Sequence, residues 1–489
     1  MRLLLALAAI SLFSGHPPRT WSQPAVDSLE LPLANPAYSP RHIGEKEYYQ
    51  IPERVLYKTY PVYAPGREPA GYMEWLKTRE PQILSPREGP KNLSDWRKEG
   101  KLVFFAPTSY NPVFFSAANL RDPKFFKAAG IPVASDGVVP FASWVIRKKG
   151  TVELGSMGCN TCHTRVLPDG TVVPGAQGNN PNDREGAMLM RASMHAIGSE
   201  KTLARVRLFA RQFEAPWLPN DINRLSQELP LASLIAAGEA IPPGVTARAN
   251  TSIFLPPQIP DLIGVRDRRY LDHTGLIRQR DIGDLMRYTS LSQDLFSADT
   301  YGPVPATNNL PRVRSPMARY SDQQLYALAI YLYSLRPPPN PNRFNPSAAR
   351  GKALFRKEKC GVCHTPPLYT NNKLLAVDGF RASGNVKAFA DVMPMRIGTD
   401  ARYTLDTRKG TGYYKVPSLK GVWYRGPFGH NGSAATLEEW FDPNRLRSDY
   451  VPRGYKGYDG LTRGIPGHPF GLNLSPTERA DLLAFLRTL

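Results

Sequence analysis

The sequence predicts a mainly α-helical protein of two tandem domains, preceded by an irregular segment rich in Pro and Tyr. Three observations point there. The pentad Cys-x-x-Cys-His occurs twice, the same landmarks follow each copy in the same order, and an amphipathic helix closes each half. The 489 residues suit two or three domains at roughly 100–200 residues each. With 42% apolar and 21% charged residues, the chain can bury a core and is not a disordered tail. Its 48 prolines are about twice the usual share of roughly 5%, which predicts long irregular connections between helices.

In chain order, Arg2 precedes an apolar run from Leu3 to Phe13, the length of a signal-peptide core and too short to span a bilayer. Residues 1–23 are read as a signal peptide, with retention as an uncleaved anchor as the alternative. No other apolar run approaches the roughly 18 residues of a membrane span, so an exported, periplasmic protein is expected, not an integral membrane one. Residues 24–135 hold no Cys and no clear long helix, and strings such as Tyr48-Tyr49-Gln50-Ile51-Pro52 read as an extended, partly β segment wrapping the first domain.

The first domain is expected over 136–336 and the second over 346–489. Each pentad is followed by Pro-x-Leu-x-Gly-Val and, seven residues later, His-x-Gly. The first copy is Pro260 to Val265 with His273-Thr274-Gly275, and the second is Pro417 to Val422 with His430-Asn431-Gly432. Each half ends in a Ser-capped helix with apolar residues at i, i+3, i+4 and i+7, from Ser321 to Leu335 and from Ser475 to Leu489. Repeated landmarks in a fixed order mark an internal duplication. Between the halves, the Pro-rich stretch 337–345 is a stiff linker that no helix crosses. A short helix over 348–357 leads into Cys360, and a helical stretch is expected from about 185 to 214.

The two pentads are Cys159-Asn160-Thr161-Cys162-His163 and Cys360-Gly361-Val362-Cys363-His364, and they use all four cysteines. None is left for a structural disulfide. Two thiols at this spacing reach the two vinyl groups on one porphyrin edge, and the adjacent His lies under the iron, so two covalently attached c-type haems are expected. Zinc or dithiol redox chemistry is the competing reading, weakened by a His directly after each pair.

The sixth iron ligand decides function, because a Met or His there favours electron transfer and an open position allows peroxide or oxygen chemistry. Equivalent places in the repeat make His430 the candidate for the second haem and His273 for the first. Each has a plainer role as a histidine bonded to backbone or propionate. His195, after Met188, Met190 and Met194, is a rival at the first haem, although a core-facing Met stripe explains those methionines. Met393 and Met395 are rivals at the second. His468, in Gly-His-Pro, reads as a turn residue. Trp423, Tyr413 and Tyr414 read as packing near a porphyrin edge, with electron relay as the alternative.

The strings Tyr413 to Val422 and Gly426 to Glu439, with Gly398-Thr399-Asp400 before them, resemble the bacterial dihaem cytochrome c peroxidase superfamily, which includes the methylamine-utilisation dihaem enzyme and the rubber oxygenases. The resemblance covers roughly 136–489 and is tightest in the second half. It implies two cytochrome c-like domains with neighbouring haems, one an electron-transfer centre and the other reactive. The Met that closes the electron-transfer haem in the peroxidases has no counterpart near Asn444, and Leu271-Asp272-His273 stands where they carry Trp-Asp-Gly. Dihaem electron transfer is therefore the first expectation, with peroxide reduction at the first haem or oxygenase chemistry as alternatives. The net charge of +20 is discounted by about 4 for haem propionates, and clusters such as Arg147-Lys148-Lys149 read as solvated surface. If that positive face is used, it steers an acidic redox partner or an anionic substrate. No nucleic-acid motif is present.

Overall fold

The structure is a computed structural model, and it describes all residues except 1–16, 85–88, 111–116, 249–250, 296–299, 306–317, 383–390 and 460–463. The expected signal peptide therefore falls largely outside the described residues. Its last part does not stand apart, because Thr20 and Trp21 are fully buried and Trp21 stacks on Tyr48 at 4.5 Å. The folded unit thus begins before residue 24. No helix among the described residues is long and apolar enough to cross a membrane.

Helices alternate with small antiparallel sheets along the described residues. The closing helices form as expected, Asp322–Ser334 and Pro476–Arg487, and each is opened by a reciprocal capping box, Ser321 with Gln324 and Ser475 with Glu478. The helix before the second pentad is Pro346–Lys357, capped by Asn345. It crosses Pro476–Arg487 at Gly351, where any Cβ would overlap the Asp481 carbonyl oxygen. Glycine is what lets the two backbones touch.

The first half contains the same crossing, against expectation. A 13-residue helix, Leu93–Phe105, lies inside the segment expected to lack long helices. It is capped by Asn92 and crosses Asp322–Ser334 at Gly100, whose added Cβ would overlap the Ala327 carbonyl oxygen. Gly100-Lys101-Leu102-Val103-Phe104 matches Gly351-Lys352-Ala353-Leu354-Phe355. The first repeat therefore starts near Asn92, not at residue 136. From Gly to the first Cys is 9 residues in the second half (360 − 351) and 59 in the first (159 − 100), so about 50 residues are inserted.

That insertion supplies three strands of a four-stranded antiparallel sheet, completed by Thr59–Tyr63 from before the helix, in the order Thr59–Tyr63, Val138–Lys148, Thr151–Ser156, Ser109–Tyr110. Its apolar face packs Val62, Val139, Phe141, Ile146 and Leu154 against Phe125 and Phe126. Arg147 pairs with Glu153 at 2.7 Å and Lys149 with Glu80, so part of the basic cluster on this hairpin is neutralised locally. After the first pentad come Asn182–Ile197 and Ser199–Ala210, one helical stretch broken at Gly198 with φ of 87°. Met190 and Met194 pack against the core cluster of Leu234 and Ile235, as a core-facing stripe should.

Candidate functional site

The two pentads are built alike at the histidine. His163 Nδ1 lies 3.0 Å from the carbonyl of Pro260, and His364 Nδ1 lies 3.1 Å from the carbonyl of Pro417 and 3.2 Å from that of Tyr369. Pro260 and Pro417 are the first residues of the repeated string, so the duplicated sequence returns as a duplicated hydrogen bond. A carbonyl only accepts, so Nδ1 carries the proton and Nε2 is left bare as a potential ligand. Burial pushes both imidazoles down to about 4 and keeps them neutral, the form that binds metal.

The cysteines sit on a short turn of helix in each copy, Cys159–Cys162 and Cys360–Val362. Burial pushes the Cys162 and Cys360 thiols up to about 11, which is the wrong direction for a reactive thiolate. No group of three or more His, Cys, Asp or Glu able to hold a metal ion occurs among the described residues. The raised thiols count against the dithiol reading.

Beside the second pentad lies a cavity of about 420 Å³, lined by Cys360, Cys363 and His364 together with Phe355, Trp440 and Leu486. Three further histidines border it: His273, His430 and His468. The His468 ring stands 6.4 Å from that of His364, centre to centre. Its Nδ1 is buried without a hydrogen-bond partner, and burial lowers its pKa to about 3. The reading of His468 as a plain turn residue is therefore incomplete. It does occupy a turn, at φ of 49°, a conformation that non-glycine residues adopt rarely and that often marks a site. Arg445, fully buried, clamps that loop by donating to the carbonyls of Ile465 (2.6 Å), Gly467 (3.0 Å) and His468 (2.6 Å), while its Nε donates to Trp440 O (2.7 Å).

His430 stacks on Tyr414 at 4.5 Å, and its Nε2 lies 3.6 Å from Asp400 Oδ2, in ion-pair reach but longer than a hydrogen bond. Burial works to raise the Asp400 carboxyl, but His430 and Arg402 hold it below its ordinary value. His273 Nε2 donates to the carbonyl of Gln258 at 2.6 Å, so the nitrogen expected to serve the first haem is engaged with backbone. His195 is exposed to solvent, and His16 lies outside the described residues. Met393 and Met395 approach Cys363 Sγ at 3.8 and 4.0 Å, beside the thiol. Tyr413 is core, and Trp423 packs edge-on to Tyr424.

Around the first pentad the groups are ionic instead. Arg248 is close enough to Cys162 and His163 to act on both electrostatically; burial works against its charge, but Tyr288 and Asp272 hold its pKa raised. Asp183 accepts from the Ala247 N–H at 3.2 Å, and burial pushes its carboxyl up to about 7. Glu185, hydrogen-bonded by Asn180 at 3.2 Å, is pushed by burial to about 8. Sequence alone does not single these residues out, although Asn182-Asp183-Arg184-Glu185 opens a helix just after Gly178-Asn179-Asn180-Pro181.

The halves meet between the two pentads. Asp261 Oδ2 accepts from Tyr424 O–H at 2.9 Å, Gln258 N–H donates to His430 O at 2.8 Å, and Gln258 Nε2 donates to Pro427 O at 2.6 Å. Lys415, Arg268 and Arg425 line the cavity on this side. Burial and the neighbouring Arg268 lower the Lys415 ammonium to about 7.

No family model matches the chain. Among curated proteins, it is 30% identical over 160 residues to cytochrome-c peroxidase IdrP1 of Denitromonas iodatirespirans, covering 29% of this chain and 40% of that one. It is 32% identical over 143 residues to methylamine utilization protein MauG of Methylorubrum extorquens, covering 29% and 34%. The matches span between 32% and 40% of the length of the curated relatives. Among solved structures, a MauG-like protein associated with microbial copper homeostasis aligns at 20% identity over 48% of this chain and 73% of that chain, with a TM-score of 0.28. The curated relatives bear out the resemblance to the dihaem cytochrome c peroxidase superfamily.

Proposed function

We propose that this relative of the dihaem cytochrome c peroxidase superfamily is an exported redox protein that carries one c-type haem on each Cys-x-x-Cys-His pentad and divides labour between them. The reading rests on the imidazole pair at the second pentad. An iron held there would take one nitrogen from each of two facing imidazoles, and His364 and His468 are the pair that would supply them. His364 and His468 stand at 6.4 Å. A haem supplies one-electron redox chemistry, and its sixth position decides between carrying electrons and meeting a small oxidant.

On this reading Cys360 and Cys363 tether the second haem, His364 and His468 hold its iron, and the second site is the electron carrier. His430 becomes a pocket residue stacked on Tyr414. Cys159, Cys162 and His163 hold the first haem in the same manner. Of the two histidines considered for the first haem, His273 donates to Gln258 O and His195 faces solvent. That supports the first site as the reactive one. There Asp183 and Glu185 hold protons near neutral pH, as reduction of a peroxide to two waters requires, since it takes up two protons with two electrons. Arg248 offers a fixed positive charge in the same surroundings. An acidic redox protein suits the +20 chain as electron donor.

Haem content of the purified full-length protein, read as its alkaline pyridine haemochrome, tests the premise. Two haems per chain that survive acid–acetone extraction are expected. One or none would contradict the reading.

A further inference from the structure

We propose that Lys415, Arg268 and Arg425 form a receptor for the carboxylates of the macrocycle at the second site. This inference rests on the function proposed above. The cavity beside Cys360 and His364 has four cationic lining residues, Arg268, Lys359, Lys415 and Arg425, against one carboxylate, Asp261, a surplus of three positive charges (4 − 1). That carboxylate is already shared: Asp261 Oδ2 accepts from Tyr424 O–H at 2.9 Å and lies 3.8 Å from Arg425 Nε.

The cations are poorly satisfied by the protein itself. Arg425 Nε is buried with no hydrogen-bond partner, although its NH2 donates to Ser418 O at 2.8 Å. Arg268 donates to the carbonyls of Asp261 and Ile263, so its partners are neutral dipoles. Lys415 extends from the strand Tyr413–Lys415, which pairs with Leu374–Ala376, and lines the cavity half-buried. Removing charge from water without a counter-charge costs several kcal/mol per ion, and folded proteins rarely tolerate it. With Asp261 as the one carboxylate shared among them, three cations facing one cavity call for a further anion inside it. A group bearing two carboxylates, tethered by the thiols of Cys360 and Cys363, supplies that charge from within. The receptor also joins the halves, because Arg268 comes from the first repeat and Lys415 and Arg425 from the second. Lys415 stands just before the repeated Pro417 and Asp261 directly after Pro260, so the charge balance sits between the two histidine anchors.

A positive charge beside a haem disfavours the more positive ferric form, so removing it lowers the midpoint potential. The test is potentiometric titration of the holoprotein, followed on the low-spin signal of the second site. Lys415→Met should shift the reduced-to-oxidised ratio about tenfold at fixed poise, about 59 mV downward for one electron. Arg425→Gln should move it in the same direction, Lys415→Arg should restore the wild-type value, and exposed Lys148→Met should leave it unchanged. A wild-type potential in both Lys415→Met and Arg425→Gln, with two haems attached, would overturn the receptor. If Lys415→Met does not load haem, Arg425→Gln decides alone. In a second arm, inorganic phosphate is titrated into the wild type. No shift is expected, whereas a saturable shift would show that the cations receive a free anion and overturn the assignment. Loss of covalent haem from the wild type would instead overturn the proposed function and leave a different signature.

Discussion

The two halves of the molecule share an anchor and differ in what faces it. In each, a glycine crossing brings a leading helix onto the closing helix, and a repeated proline carbonyl orients the histidine of the pentad. Around the second pentad the cavity combines apolar side chains with imidazoles, and its cations gather on the side facing the first half, with His468 standing near His364. Around the first, the neighbours are Arg248, Asp183 and Glu185. Keeping the anchor while exchanging the opposite wall is how one fold can hold the same cofactor for two purposes. The first half also carries about 50 inserted residues and a four-stranded sheet, where the described residues of the second half have a two-stranded one. In the second half, Arg445 clamps the loop that carries His468.

Breaking the comparison at its anchor should have the largest effect. Replacing Cys360 and Cys363 together by Ala removes the tether on one side only, and covalent haem should fall to half in the haemochrome assay. Retention of the full content would contradict two independent sites.

The clamp comes next. Arg445→Leu leaves the carbonyls of Ile465, Gly467 and His468 without their donor and should destabilise the second half by about 3 kcal/mol or more, seen as an earlier transition in denaturant. Arg445→Lys should lose less. A wild-type midpoint in Arg445→Leu would show that the loop holds itself.

The shared crossing predicts matched effects. Gly351→Ala and Gly100→Ala should each cost about 1–3 kcal/mol, because a methyl group must push apart backbones that touch. A large cost at one and none at the other would mean the halves are not built alike.

The smallest effect is in pH. The Glu185 carboxyl is raised by burial to about 8, against an ordinary value near 4.3. Its stabilising contribution is therefore complete below the unfolded value and is lost as pH rises through about 8. Melting temperature should fall between pH 5 and 8 through this group, and Glu185→Gln should flatten that slope. An unchanged slope would remove Glu185 as a proton holder.

Much of the architecture was legible in the sequence. Both pentads, both repeated strings and both capped closing helices carry local signals, because capping and 3.6-residue periodicity need no distant partner. What escaped depends on contacts far along the chain. The helix Leu93–Phe105 was hidden by the insertion that separates it from Cys159, although its Gly-Lys-x-x-Phe string repeats at Gly351. His468 was hidden because Gly-His-Pro reads as a turn, and only tertiary packing carries that turn to the ring of His364. His273 and His430 are equivalent in sequence and differ in their surroundings. Both border one cavity, but Nε2 of His273 meets a carbonyl and that of His430 faces Asp400.

The central claim is that the second site is closed by His468 and the first is reactive. It is tested most directly by the carbon monoxide difference spectrum of the reduced holoprotein, read beside the ferric EPR spectrum. The account predicts one low-spin centre and a carbon monoxide adduct on about half the haem, rising to nearly all of it in His468→Ala while His430→Ala leaves the low-spin centre in place. Two low-spin centres and no adduct in the wild type would contradict it and make the protein an electron carrier at both sites.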